Sequence, residues 1–222
     1  MKIKKLILFL GSILIIVLLT LGLFEITPNL SNSRKKIFVD FVRYEPKRIR
    51  GVCLGKVFPW PDFASIKKVV FSQSQKGIYQ IRFETYAPIP TDTKDILCFL
   101  AFFDTPSIYG IWDTGVIYAS KNYPFLSKPP SLEGGVFRDP DPYNPPIWIG
   151  DIKASVKGSI VEVEFDSKLV ENSKELVLVI AVYLPSDIKL PKGCSIWSAA
   201  QHDVLRIDPK LRKAQIMIPR HP

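Results

Sequence analysis

Residues 6–24, LILFLGSILIIVLLTLGLF, carry no charge and hold fifteen Leu, Ile, Val or Phe among nineteen positions. A helix of that length rises about 28 Å, close to the hydrocarbon thickness of a bilayer. Each large apolar residue contributes roughly −0.3 to −0.6 kcal/mol on insertion, several kcal/mol together. Gly11, Ser12, Thr20 and Gly22 offset only part of that. The segment is therefore expected to be a transmembrane helix, an uncleaved single-pass signal-anchor. A cleaved signal peptide is the alternative, but its apolar run is usually shorter and ends in an A-x-A-like site. Thr20 and Gly22 match that site poorly, and no lipobox cysteine follows the run.

Lys2, Lys4 and Lys5 touch the N-terminal end of the run, whereas Arg34, Lys35 and Lys36 begin ten residues beyond it. The nearer cluster sets the orientation. This predicts a cytoplasmic tail at 1–5, the anchor at 6–24, a polar linker at 25–36 and one extracytoplasmic domain at 37–222. The expected location is the cell membrane.

The formal charge of +9 is unevenly spread. Residues 34–50 balance to +5 and residues 206–221 to +4, while the body, 51–205, balances to −2. A basic stretch beside an anchor is drawn to anionic lipid by about 1 kcal/mol per residue at the leaflet surface. A nucleic-acid groove would need basic residues interleaved with stacking aromatics, and the tail RIDPKLRKAQIMIPRHP has none. The sequence therefore implies a membrane partner and no nucleic acid.

Beyond the linker the period is 2 rather than 3.6. In IYQIRFETY (78–86), Tyr79, Ile81, Phe83 and Thr85 share one face, with Gln80, Arg82 and Glu84 on the other. SIKKVVF (65–71) precedes it across a hairpin turn, and SIVEVEF (159–165) follows DIKASVK (151–157) through Lys157-Gly158. ILCFLAFF (96–103) and LVLVIAVYL (176–184) are apolar on both faces, as strands covered on each side are. Shorter strands are expected at 37–42, 115–119, 203–207 and 214–218, with single helical turns at 166–170, capped by Asp166, and 198–204. The fold class is all-β: one antiparallel β-sandwich after the anchor. Residues 120–146, with seven prolines and Gly134-Gly135, are expected to form a surface loop.

The hairpin IKKVVFSQSQKGIYQIRFETYAPIP, the buried strand ILCFLAFFDT and the later hairpin DIKASVKGSIVEVEFDSKLV follow one another in a familiar order. Residues 65–184 thereby resemble the exported β-sandwich modules grouped as DOMON or family 9 carbohydrate-binding-module-like domains. The resemblance is one of pattern, without a diagnostic motif. It implies a module that binds sugar or haem or serves as surface architecture. Met217 and both histidines lie outside the matched stretch, which disfavours haem ligation.

Tyr109, Trp112, Tyr143 and Trp148, with Asp113 beside them, are the candidate ligand-binding residues, because flat rings and a carboxylate are what a sugar surface needs. The same rings serve equally well as packing. Asp139, Asp141, Asn144 and Asp151 offer oxygens of the kind calcium takes, although Asp-Pro pairs start turns unaided and the spacing is not that of an EF-hand. Cys98 sits within a buried strand, while Cys53 and Cys194 lie in glycine-flanked segments and are candidates for a disulfide. Gln201-His202-Asp203 sets an imidazole beside a carboxylate, but no G-x-S-x-G nucleophile or phosphate loop accompanies it. A carboxylate pair for glycoside hydrolysis would be unreadable among the acids of the body. The expected function is that of a membrane-anchored binding or interaction module, with carbohydrate as one ligand class. The alternatives are a structural subunit or assembly factor of a membrane complex, and a hydrolase on the same scaffold.

Overall fold

A computed structural model describes residues 35–43, 48–49, 51, 53–54, 58–90, 92–104, 114–121, 123, 133–138 and 147–207. The chain divides into two units, residues 1–34 and 35–222. The predicted anchor lies outside the described residues, among which no helix is long and apolar enough to cross a membrane.

The second unit is built from two antiparallel sheets. The first contains β1 (Lys36–Val42), β3 (Ile66–Gln75), β4 (Ile78–Thr85), β9 (Lys153–Lys157) and β10 (Ile160–Asp166), in the order β1-β3-β4-β10-β9. The second contains β2 (Arg48–Ile49), β5 (Ile96–Phe103), β6 (Thr114–Ala119), β7 (Gly134–Arg138), β8 (Ile147–Gly150), β11 (Leu176–Leu184) and β12 (Gln201–Arg206). Its order is β2-β12-β11-β5-β6-β7-β8.

Alternation determines which faces meet. In β4 and β10 the pairs Phe83–Val161, Ile81–Val163 and Tyr79–Phe165 form an apolar layer, and Arg82–Glu162 forms part of the opposite one. The apolar layer packs on the second sheet through aromatic contacts. Phe83 stacks on Phe99 with centroids 5.5 Å apart, Phe71 meets Phe103 edge-on at 5.2 Å, and Phe103 meets Phe165 at 5.8 Å. Every residue of β11 is buried, and β11 pairs with β5 in the interior of the seven-stranded sheet. Strands apolar on both faces thus occupy the position their composition demands.

Two local expectations are corrected. The stretch 120–146 is not one continuous loop: β7 crosses within it and pairs with both β6 and β8. The helical turn expected at 198–204 lies earlier, as α1 (Ile196–Ala199), and residues 201–206 are strand. At 166–170 the turn forms as read, a 3-10 helix over Ser167–Val170 whose N-cap Asp166 accepts a bond from the Lys168 amide. The strand expected at 214–218 lies outside the described residues.

Candidate functional site

Connectivity divides the sandwich into two ends. β1 begins at Lys36, opposite Gln73, at the end where β5 finishes. There Phe103 pairs with Thr114 and with Leu176, Thr114 pairs with Arg138, and Arg138 pairs with Ile147. The connections 104–113, from β5 to β6, and 139–146, from β7 to β8, therefore leave the sheet at the end where the chain enters the domain. Tyr109, Trp112 and Asp113 belong to the first connection, and Asp139, Asp141, Tyr143 and Asn144 to the second. All seven lie outside the described residues.

The described floor of this entry end is tightly bonded. The Asp104 amide donates to the Glu175 carbonyl (3.0 Å), and the Ser173 hydroxyl donates to the Asp104 carbonyl (2.8 Å). The Tyr79 hydroxyl reaches the Asn172 carbonyl at 3.1 Å, and Arg138 pairs with Glu171 at 3.0 Å across an exposed rim. Glu171 and Asn172 adopt left-handed φ values of 53° and 56°, which end the 3-10 turn and start β11 on its path. These bonds give the 104–113 connection a fixed point of departure.

Trp148 and Asp151 lie among the described residues. Trp148 lies within β8, half-buried, edge-on to Phe137 with centroids 6.1 Å apart. Its ring serves in a packing cluster that continues to Phe102. Asp151 follows β8 at its opposite end, about 13 Å of strand from Ile147. Among the described residues, no group of three His, Cys, Asp or Glu is arranged to hold a metal.

At the far end, Cys53 and Cys194 are joined as a disulfide with Cα atoms 6.0 Å apart. The Cys53 amide also donates to the Ser198 carbonyl of α1 (2.9 Å). Ser195 and Ser198 cap the four-residue helix reciprocally. Asp95 accepts from the Tyr183 hydroxyl and the Ser186 amide, each at 2.9 Å. Burial works to raise that carboxyl, but these bonds outweigh it and hold the group below its ordinary range. The far end reads as a clamp that fixes β11, α1 and β12.

The Gln201-His202-Asp203 triplet lies on β12, where neighbouring side chains point to opposite faces. Asp203 faces inward with 0% exposure, accepting from Arg43 at 2.6 Å and from the Ile66 amide at 3.0 Å. His202 faces outward against Trp197, with ring centroids 4.6 Å apart. Its Nε2 is buried without a partner, and burial pushes its pKa down to about 4. The imidazole and carboxylate do not meet, so the triplet forms no acid–base pair. Burial likewise raises the Cys98 thiol far above its ordinary value, as befits a core residue.

The fold and its ends define an all-β, two-sheet domain with a disulfide-clamped far end and an entry end that carries the long connections. No protein-family model, no curated protein and no solved structure matches the chain.

Proposed function

We propose that the chain is a single-pass membrane protein whose β-sandwich stands outside the cytoplasm and serves as an interaction module for a partner held in the same membrane. Its role is then that of a structural subunit or assembly factor of a membrane complex. One observation carries this reading. The strand that continues from the anchor, β1, begins at the end where the connections 104–113 and 139–146 leave the domain. A domain held by a membrane tether meets partners in the same membrane at a raised effective concentration, which favours them over ligands that diffuse freely. The Cys53–Cys194 disulfide supports the compartment, since such bonds persist in oxidising surroundings.

Trp148 is half-buried and packs edge-on against Phe137, which weighs against the carbohydrate reading at that ring. A photo-reactive phenylalanine in place of Trp112 or Tyr143, in the full chain within membranes, is expected to yield adducts with a membrane protein. The same probe in place of the exposed Tyr86, at the far end, is expected to give none. Adducts confined to position 86 would overturn the reading. Retention of the full chain on immobilised glycans, without protein adducts, would transfer it to carbohydrate.

A further inference from the structure

The chain that carries β2 and Cys53 is held to the second sheet by few bonds. At its start Arg43 is fixed by the buried pair with Asp203. β2 is a two-residue edge strand, in which Arg48 stands opposite Asp203 and Ile49 opposite His202. Gly51 rests against α1, where a Cβ would collide with the Ala199 and Ala200 carbonyls. Cys53 donates its amide to the Ser198 carbonyl and closes the segment with its bond to Cys194. The other side of that bond is held as lightly, since residues 189–193 are exposed and α1 has four residues. The sheet beneath is different: β11 is buried throughout, between β5 and β12. An opening that starts at the disulfide therefore meets a firm limit at the sheet.

What this cover encloses is His202. The residue is buried, stands between Ile49 and Val182 in the register, and lies against Trp197 of α1. Its Nε2 has no hydrogen-bond partner, an arrangement that costs free energy while the cover is shut. The elements packed on it bring no compensating charge. Asp203 faces the opposite way and is engaged by Arg43 and the Ile66 amide. Arg206 is four residues further along β12, about 13 Å away. β11 contributes Val182, and α1 contributes Trp197. Cys53 is exposed whereas Cys194 is half-buried, which favours attack by a thiolate at Cys53.

We infer that the Cys53–Cys194 bond is a redox latch, which a dithiol reductant opens to free the β2 segment from α1 and admit water to His202. One thiol of the dithiol, as thiolate, attacks the Cys53 sulfur. The S–S bond breaks, and Cys194 leaves as thiolate and takes up a proton. The second thiol gives up its proton and attacks the mixed disulfide, and Cys53 departs and is protonated in turn. Both cysteines are then reduced, and the dithiol is oxidised to its own disulfide. Once open, the imidazole reaches water, and in its protonated form it opposes reburial beneath Trp197.

The test follows the His202 ring by NMR in the full chain carrying His221→Ala, labelled at histidine and held in detergent micelles. With the disulfide intact, His202 is expected to titrate near pH 4. After reduction by dithiothreitol it is expected to titrate near 6.5, the value of the free side chain. Cys53→Ser with Cys194→Ser is expected to behave as the reduced protein without any reductant. Backbone signals of β4 and β10 are expected to keep their native positions, with changes confined to 48–54 and 194–204. Titration at one pH in both states, with reduction verified by thiol count, overturns the latch. Loss of the native β4 and β10 signals on reduction also overturns it, because the bond would then hold the whole domain and not its cover.

Discussion

Two neighbouring residues of β12 show how burial treats a charge differently according to its company. Asp203 is fully enclosed yet holds a guanidinium and a backbone amide, so its carboxylate is compensated. Removing one partner of such a pair leaves an unmatched buried charge, a loss of about 3–5 kcal/mol. His202 has only apolar burial and the Trp197 ring, so it stays neutral. Its folded pKa of about 4 lies below the 6.5 of the free side chain, and unfolding between those values takes up a proton. The unfolded state therefore binds more protons, and stability falls as pH drops through 6.5 toward 4. The limiting slope is about 1.4 kcal/mol per pH unit from this residue. Urea midpoints measured from pH 7 to pH 4 are expected to fall more gently for His202→Leu than for the parent. Parallel curves would show that the imidazole is protonated in the folded protein.

At the scale of elements, the sequence discloses a strand when its pattern records the environment the strand occupies. β5 and β11 are uninterrupted apolar runs because both faces are covered, and their limits coincide with those runs. β4 and β10 alternate because one face is charged. β7 is hidden, since GGVFR has two glycines, few side chains to set a period, and prolines on either side. What places it in the sheet is backbone geometry. Gly134 has φ of 135°, and a Cβ there would collide with the Ile117 carbonyl of β6. Gly158, in the β9–β10 turn, has φ of 59° but open space around it. Gly158→Ala is therefore expected to cost about 1 kcal/mol of strain alone. Gly134→Ala adds a steric clash to its strain, an expected loss of about 3 kcal/mol or more. Equal losses in urea unfolding would mean that β7 does not approach β6 so closely. The candidate site was legible only as composition. Register sets β5, β6, β7 and β8 so that the connections 104–113 and 139–146 leave the sheet at one end, which no local pattern encodes.

At the scale of the whole molecule, the Cys53–Cys194 bond joins positions 141 residues apart and spans almost the entire sandwich. A crosslink over so long a stretch restricts the unfolded chain strongly, and losing one costs about 2–5 kcal/mol. Its formation also reports the compartment, because a reducing cytosol would keep both thiols free. The third cysteine supplies an internal standard, since Cys98 is buried and unpaired with sulfur in the folded protein. The full chain, acid-trapped directly from cells and denatured without reductant, is expected to accept one maleimide-polymer adduct, at Cys98. After reduction it is expected to accept three, one for each cysteine of the sequence. Cys53→Ser should then accept two adducts without reductant and unfold at lower urea. Three adducts on the unreduced parent would mean that the domain lies in a reducing compartment, and the extracytoplasmic placement would fall even if residues 6–24 span the bilayer. One adduct with unchanged stability in Cys53→Ser would keep the placement and show that α1 and β12 hold the far end without the bond.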